Sequence, residues 1–487
     1  MATPLVDTFD PVALVTLYKT VGRRLVAGGI PAAERYRDLP RAIDLTAHLG
    51  DGGSVRVRKS VRDPAGSWSI VLADKPWLHN TSLETLYGVA EPMDIIEIRF
   101  RHAPGAGKPP IVMRGFVSGV ERIQGMSADG KPGNFVVITG QDYGKIWQQL
   151  QILYFPSYVI GQDIITHFRL FERFGVGFQT SQRVGDFVSA MVQKIINPYL
   201  RALIPERSPS PAELTLDIRV KEGATSITGP QNQEGPVYDL MRAYTDTGPW
   251  NELYVEDRED SVACVFRPNP YLALNGDEIQ PIGQRADVHD LSDRDVIQLR
   301  IGRSDANVAN FYWVRAPRFD INTDLYRQLF AVQGAERDTV LLDRYPNSQV
   351  ALYGTRAMYT ETQLGPEEVT EFQSGLPEAA DRARASNMAA WVAKRRKVVV
   401  ESNKDNVVLE SGSIRIRGNE AIKAGSYVRL RRGGIVSMYY VAAVDHEFLP
   451  YQAFITTLQV ERGTGFAERI RAGAPVSPYL SERRPLP

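Results

Sequence analysis

The stretch "VDHEFLPYQAFITTLQVERG", residues 444–463, places three metal-capable side chains next to one another, Asp445, His446 and Glu447. The segment has the alternation of a β-strand, in which neighbouring side chains point to opposite faces. His446 is then expected to point away from both carboxylates and to be a partly buried, hydrogen-bonded side chain near the rim of a barrel. The face with His446 is predicted to carry Tyr440, Ala442, Val444 and Phe448, and the other face Val441, Ala443, Asp445 and Glu447.

This segment has a counterpart earlier in the chain. "GFVSGVERI" (115–123) and "NFVVITGQDYGKIW" (134–147) match "YYVAAVDHE" (439–447) and "AFITTLQVERGTGF" (453–466). Upstream, "DIIEIRF" (94–100) resembles "SYVRLRR" (426–432), and Arg122 stands where His446 would be, a change that a shared metal site would not tolerate. The matched positions are Phe116–Val117 with Tyr440–Val441, Val120–Glu121 with Val444–Asp445, Phe135 with Phe454, Asp142 with Glu461, and Gly144 with Gly463. The repeat predicts two related β-barrels.

Periodicity divides the rest of the 487 residues, a length that favours two to four domains. "DPVALVTLYKTVGRRLVAGG" (10–29) is predicted as a helix that Asp10 caps. "VGDFVSAMVQKIINPYLRALIP" (184–205) has apolar residues at helical spacing over 184–195, before Pro198 and Pro205 interrupt the pattern, and "WNELYVEDREDSVACVFRPNPY" (250–271) is predicted as a hairpin. "LPEAADRARASNMAAWVAKRRK" (376–397) is a further predicted helix, and "KVVVES" (398–403) a strand. We expect an α+β, β-dominated fold. Its parts are an N-terminal arm (1–40), a first barrel (41–150), a mixed α/β peripheral domain (151–290), a second barrel (291–320 and 398–465) interrupted by a helical insertion (321–397), and an extended tail (466–487).

Composition excludes several classes of protein. The 57 Lys and Arg balance 57 Asp and Glu, which argues against a generally basic nucleic-acid binder. The single Cys264 permits no intrachain disulfide and lies in the strand-like "SVACVFRP", so we expect a buried side chain and folding in a reducing cytoplasm. The start "MATPLVDTFD" does not resemble a secretory signal, and the chain has no apolar run long enough to span a membrane, so no stable membrane insertion is expected.

The remaining candidates for chemistry are weak. The acidic segment "DVHDLSDRD" (287–295) lacks the glycine and closing glutamate of a calcium loop. A serine nucleophile elbow, a Walker phosphate loop and a dinucleotide fingerprint are all missing from the sequence. A carboxylate pair for glycoside hydrolysis stays open because such pairs have no fixed spacing. The other histidines are scattered without metal-ligand spacing, namely His48, His79, His102, His167 and His289. No catalytic, cofactor-binding or metal-binding residue and no cofactor is predicted.

The C-terminal strands resemble a known family. "GSIRIRGNEAIKAGSYVRLRRGG" (412–434), followed by residues 439–463, is similar to the closing barrel of phage baseplate hub proteins of the late-control-gene-D type and of the N-terminal part of VgrG spikes. "SWSIVLAD" (67–74) and "IVMRGFVSGVERI" (111–123) resemble the first barrel of that family, and "LYVEDREDSVACVFRP" (253–268) the segment leading to the second. The family-like pattern consists of Tyr440, Val441, Val444, His446, Phe448, Thr457, Leu458, Glu461, Arg462 and Gly463.

The resemblance implies a structural function without catalysis. In such hubs two tube-like barrels per chain assemble as a homotrimer, giving a pseudo-hexameric ring that joins a sixfold tail tube to a threefold spike. It implies a tail tube or distal tail protein above, a separate spike protein below, wedge proteins outside, and tape-measure protein and DNA in transit through the channel. The location would be the baseplate of a virion whose proteins are made in the host bacterial cytoplasm. The alternatives are a baseplate-associated cell-wall hydrolase and a glycan-binding tail module.

Overall fold

Strands dominate the protein, which we describe from a computed structural model over residues 9–38, 40–50, 52–74, 77–79, 82–126, 132–152, 180–227, 235–315, 345–366 and 378–473. Strand accounts for 45% and helix for 21%, which confirms the β-dominated class. The strands are β1 (Val12–Lys19), β2 (Val21–Val26), β3 (Ile30–Arg35), β4 (Arg41–Asp44), β5 (Ser54–Ser60), β6 (Ser67–Ala73), β7 (Trp77–His79), β8 (Ser82–Glu84), β9 (Ile95–Arg101), β10 (Ile111–Met126), β11 (Pro132–Asp142), β12 (Gln151–Ile152), β13 (Thr180–Arg183), β14 (Leu214–Ile218), β15 (Ala224–Ile227), β16 (Gly235–Pro236), β17 (Asn251–Asp257), β18 (Val262–Pro268), β19 (Val288–Ser292), β20 (Val296–Gly302), β21 (Phe311–Arg315), β22 (Ala357–Glu361), β23 (Leu364–Gly365), β24 (Glu410–Arg417), β25 (Tyr427–Arg432), β26 (Ile435–Leu449) and β27 (Ala453–Gly463).

Helices are fewer than strands in the described part of the chain, and the longest, at Glu378–Asn403, has 26 residues. They are α1 (Leu86–Val89), α2 (Gly144–Gln149), α3 (Val184–Met191), α4 (Asn197–Leu203), α5 (Val237–Ala243), α6 (Val350–Tyr353), α7 (Glu378–Asn403) and α8 (Gly465–Arg471), with a π-helical turn at Val192–Ile196 and 3-10 turns at Thr46–His48 and Pro346–Ser348. Within the described residues, no helix is long and apolar enough to cross a membrane.

Two strand-rich blocks share one sheet: the first block consists of β1, β4–β6 and β9–β11, and the second block of β19, β20 and β24–β27. Its 13 strands run in the order β20-β24-β27-β26-β5-β6-β11-β10-β9-β1-β4, with β25 also on β26 and β19 on β25. We expected two separate barrels, whereas the described strands form an open sheet in which neither block closes on itself. The physical reason is that β26 is long: residues 435–440 pair with β25, and residues 443–448 continue past it and pair with β5 of the first block.

The N-terminal prediction is wrong in its secondary structure. Residues 12–19, expected in a helix, form β1 between β9 and β4, and residues 21–35 form the β2–β3 hairpin. Ala13, Val15 and Leu17 are buried alternately, a period of two that inserts one face into the core of the first block. The arm is thus an integral strand of the sheet.

The mixed region packs as predicted in its main elements. Residues 250–271 form the β17–β18 hairpin, and Cys264 is fully buried in β18. The predicted apolar face of residues 184–195 is confirmed, with Val184, Phe187 and Met191 buried against this hairpin's cluster. The helix continues as α4 through Pro198, where we expected an interruption, because proline is tolerated in the first turn of α4.

The region between the two parts of the second block is partly strand. β21, expected in the second barrel, pairs in parallel with β22 in a separate two-stranded sheet. The predicted strand at 398–403 is instead the end of α7, since Val399 and Val400 are buried with Trp250 and this packing overrides the strand preference of a valine run. Residues 466–471 are helical rather than extended. The rest of the tail and residues 321–344 and 367–377 of the insertion lie outside the described residues.

Candidate functional site

The junction between the two blocks contains the residues that sequence analysis selected. Residues 443–448 of β26 pair antiparallel with residues 55–60 of β5, with Ala443 opposite Ser60 and Phe448 opposite Val55. Four rings, those of Phe100, His446, Phe448 and Phe454, pack across this junction, and the Phe100 and Phe454 centroids are 5.1 Å apart. The two blocks therefore share a core as well as a strand ladder.

His446 is a core residue, as predicted, and not part of a cluster with its neighbours. Its side chain is buried, and its Nδ1 lies 2.9 Å from the Thr456 hydroxyl on β27. Burial lowers the pKa of His446 to about 4, with Asp445 opposing that shift, so the imidazole is neutral at neutral pH. In the described part of the chain, no group of three or more His, Cys, Asp or Glu side chains is arranged to hold a metal ion.

The two carboxylates beside His446 face the other side of the sheet. Arg56 of β5 donates to Asp445, with Nη2 2.5 Å from Oδ2 and Nε 2.9 Å from Oδ1. Glu447 lies 3.9 Å from Arg415 of β24. Asp445 thus forms an ion pair that joins the two blocks. The sequence analysis did not single out its partner, Arg56, which is one of the alternating basic residues of β5.

The prediction of which side chains of β26 share a face is wrong for Tyr440. The pairing of β26 with β27 shifts between Val441 and Ala443, so Ala442 forms a β-bulge. A bulge adds one residue to one strand and reverses the alternation beyond it. Val441 and Val444 consequently point into the same cluster, while Tyr440 packs on the opposite face with Tyr271 and Tyr427.

Lys59, next along β5, joins the first block to the mixed region. Its ammonium lies 2.5 Å from both Asp142 and Asp257, and both carboxylates are almost fully buried. Burial alone would lower the pKa of Lys59, but the two negative charges outweigh it and raise that pKa above its ordinary value. A second polar cluster fixes β26 and β27 to the same region through Arg62, Tyr271 and Glu461, and through Tyr440, Glu252 and Arg267.

The acidic segment 287–295 is engaged with arginines. Asp290 lies 2.6 Å from Arg429, and Asp295 lies 2.8 Å from Arg417 and accepts from Ser292. These arginines hold the pKa values of both carboxyls below their usual range, although burial opposes the shift at Asp295. Of the other histidines, His102 lies 2.7 Å from Glu420, and His167 lies outside the described residues.

The internal repeat extends to the strand registers. The pairing of β10 with β11 shifts between Val117 and Gly119, so Ser118 is a bulge at the position that aligns with Ala442. Phe116 lies opposite Ile95 in the first block, as Tyr440 lies opposite Tyr427 in the second. Backbone hydrogen bonds match too: Val117 N–H to Asp94 O and Val441 N–H to Ser426 O are both 2.9 Å, and Met93 N–H to Val117 O and Gly425 N–H to Val441 O are both 2.8 Å.

The predicted alignment is out by one residue in the second strand of each hairpin. Phe116 pairs with Gln141 and Tyr440 with Glu461, so the counterpart of Glu461 is Gln141 rather than Asp142. By the same register the counterpart of Phe454 is Asn134, and Phe135 lies on the other face. Matching by residue type across turns of unequal length produced this error, whereas the strand ladder fixes the register.

The registers also identify two equivalent strands outside the repeated hairpins. Ile138 pairs with Ile70, and Ile70 with Val55; in the second block Leu458 pairs with Ile414, and Ile414 with Leu299. β5 and β20 are therefore equivalent strands. Their sequences, "VRVRKS" at 55–60 and "LRIGRS" at 299–304, have the same type of residue at every position except Arg58, which is matched by Gly302.

Comparisons with known proteins give structural matches only. No protein-family model and no curated protein matches the sequence. The fold is similar to a tail protein from Neisseria meningitidis MC58, with 10% identity over 94% of this chain and 98% of that one and a TM-score of 0.44. It is similar to the 43 kDa tail protein of prophage MuSo2 from Shewanella oneidensis, with 11% identity over 93% and 98% and a TM-score of 0.44. It is also similar to prophage tail protein gp18 from Listeria monocytogenes EGD-e, with 10% identity over 92% and 94% and a TM-score of 0.41.

The structures matched are phage-tail, baseplate and VgrG-like proteins, the classes that the sequence motifs resemble.

Proposed function

We propose that this chain is the structural baseplate hub of a phage tail or a related contractile injection particle. In this function it joins a sixfold tail tube to a threefold central spike as a homotrimer and surrounds the channel for tape-measure protein and DNA. The chain acts through its interfaces and not through catalysis. Its location is the tail baseplate of a virion, and the chain is synthesised in the host bacterial cytoplasm.

The observation that carries this proposal is the repeated strand block. Five strands in each half have equivalent registers, and both halves have a bulge at the same position. The two blocks meet edge to edge through β26 and β5. A chain that carries two copies of one unit presents twice its own rotational order to a partner, so three copies supply six equivalent units. This geometry suits a component between a threefold spike and a sixfold tube.

The face of the sheet that is free of core packing is suited to a channel. Thr456, Leu458 and Val460 are buried, so the opposite face, with Thr457 and Gln459, is the one available to line a bore, whereas Glu461 further along the strand is held by Arg62 and Tyr271. Beyond the bulges this face carries hydroxyls, amides and paired charges such as Arg56 with Asp445. A polar surface with balanced charge gives DNA no array of phosphate contacts to hold it during passage.

The partners follow from position in such a particle. A tail tube or distal tail protein would lie above the ring, a separate spike protein below it, and baseplate wedge proteins outside it. The exposed tips of the two repeated hairpins, with Met126 75% and Tyr451 92% exposed, are suited to contact one of these neighbouring rings.

The number of copies tests this function. Native mass spectrometry of the full-length chain, with cryo-imaging of the assembled particle, is expected to give three chains arranged with pseudo-sixfold symmetry. A monomer in the particle would overturn the hub proposal. Release of fragments from purified peptidoglycan by the isolated chain would overturn its non-catalytic part and favour the hydrolase.

A further inference from the structure

The junction inside the chain uses a particular pair of sheet edges. Beyond the bulge at Ala442, residues 443–448 of β26 no longer pair with β25, and β5 pairs with the edge that β25 leaves open. Arg56 of β5 reaches across this ladder to Asp445, which is 8% exposed. The contact therefore combines backbone pairing with one directed ion pair.

The repeat contains the same two edges a second time. The counterpart of residues 443–448 is residues 119–124 of β10, just beyond the equivalent bulge at Ser118. The counterpart of β5 is β20, which ends the sheet and pairs only with β24 among the described strands. Within the described residues, neither of these edges has a strand on its outer side.

We propose that these two edges pair with each other between neighbouring copies of the chain. Residues 119–124 of one copy form an antiparallel ladder with residues 299–304 of the next copy, in the register of the internal junction. Transferring that register pairs Gly119 with Ser304, Arg122 with Ile301, and Ile123 with Arg300. The inference deepens the proposed function because it names the surface through which the hub copies join.

The side chains at the two edges are complementary. Glu121 occupies the position of Asp445, and Arg300 occupies the position of Arg56, so the ion pair of the internal junction is preserved in type. Leu299 and Ile301 are only half-buried in β20, whereas their equivalents Val55 and Val57 are fully buried beneath β26. A strand added at this edge would complete that burial.

The open edges of β10 and β20 also favour pairing with a further strand. An unpaired strand edge presents backbone N–H and C=O groups that recruit another strand. Here the contact is head-to-tail, because the two surfaces are different parts of the chain. Such contacts close into a ring when the rotation per copy divides a full turn, and otherwise extend as a filament. The proposed function sets the closure at three copies.

Cysteine cross-linking tests the contact and its register in the full-length chain. Ile123→Cys and Arg300→Cys together place thiols at exposed positions that the register puts directly opposite, within the reach of a disulfide. Native Cys264 does not interfere, since it is fully buried and burial raises its pKa to about 12. The control is Ile123→Cys with Ile301→Cys, in which the two side chains point to opposite faces of the sheet.

We expect mild oxidation to link the first variant into covalent oligomers on a non-reducing gel, with at least ten-fold less product in the control. No interchain product, or equal product in both variants, would overturn the proposed pairing. The largest product tests the proposed function separately: a ladder that ends at three chains supports the homotrimer, and one that ends at another number refutes it while leaving the edge contact in place.

Discussion

At the residue scale, His446 is held neutral by its surroundings. The ring is 4% exposed, lies among Phe100 and Phe454, and is hydrogen-bonded to Thr456. Because burial lowers its pKa to about 4, protonation is more favourable in the unfolded chain, where the ordinary value is about 6.5. The junction should therefore lose stability in acid.

The predicted pH dependence follows from that shift. A lowered histidine pKa gives stability that is fully present above pH 6.5 and is lost as the pH falls from 6.5 toward about 4. The full shift corresponds to roughly 3 kcal/mol of unfolding free energy. Urea unfolding of the wild type and of His446→Gln between pH 7 and pH 4 should show a steeper loss in the wild type. Parallel curves for the two proteins would contradict a buried, neutral His446.

Met93 and Gly425 are a second case in which one residue position matters. Both are equivalent in the repeat, both donate to the residue before the bulge, and both have positive φ, 72° and 86°. Glycine adopts this conformation without strain, whereas methionine does so only under the constraint of its neighbours. A Cβ at Gly425 would in addition meet the guanidinium of Arg267.

We predict that Gly425→Ala lowers the free energy of unfolding by about 2–3 kcal/mol, from positive-φ strain plus displacement of Arg267. The matched control is Gly434→Ala, at φ 76° with no neighbouring atom within 4 Å of the added Cβ, where only the backbone term of about 1 kcal/mol applies. Chemical denaturation of both variants measures the difference, and equal losses would mean that the contact with Arg267 contributes nothing.

At the element scale, β5 links three parts of the molecule. It pairs with β6 and β26 through its backbone, and Lys59 at its end binds Asp142 of β11 and Asp257 of β17. Removing one partner from a buried charged group leaves the remaining charges uncompensated, which is usually more damaging than replacing the whole group.

Lys59→Met is accordingly predicted to lower the unfolding free energy by about 3–5 kcal/mol at pH 7. Burial already raises the pKa of Asp142, and without the ammonium that carboxyl should take up a proton more readily, so the loss should shrink as the pH falls toward 5. Arg58→Met is the control, because that side chain is 44% exposed and its ion pair is long, at 3.9 Å. Thermal or urea unfolding should show a change below about 1 kcal/mol for the control. A loss below about 1 kcal/mol in both Lys59→Met and Arg58→Met would exclude the buried cluster as a major source of stability.

Elements were predicted well where the period was long and clear. The hairpins at 250–271 and 439–463 and the main helix of 376–397 are present. The predictions for residues 12–19 and 398–403 are wrong because they rest on local signals, a helix cap in the first case and valine content in the second. Packing against residues far away in the sequence overrides both signals. Both segments are fixed by contacts with β9 and with Trp250, which no local pattern reveals.

At the scale of the whole molecule, equivalent residues have different surroundings. Arg56 is used inside the chain and Arg300, its counterpart, lies at the open edge of β20. The same substitution of arginine by glutamate should therefore affect folding at Arg56 and assembly at Arg300.

Arg56→Glu places a carboxylate against Asp445 and should lower the unfolding free energy of each chain by about 1–2 kcal/mol, because Arg56 is partly solvated. Arg300→Glu should leave the unfolding curve of the single chain unchanged within about 0.5 kcal/mol and weaken assembly, with a monomer fraction that rises with dilution. Urea unfolding and light scattering on the same samples separate the two effects. Normal assembly of Arg300→Glu would weigh against the paired edges.

The sequence by itself determined the strand-rich class, the repeated hairpin and the separation of His446 from Asp445 and Glu447, because alternation is a local property of a strand. It also contained the likeness of residues 55–60 and 299–304, which becomes visible only once the registers are known. Only the tertiary structure decided that β26 pairs with β5, that a bulge reverses the face of Tyr440, and that Lys59 lies between two buried carboxylates. These features join residues far apart in the chain, and their positions are set by the strand ladder and by burial, which no short stretch of sequence specifies.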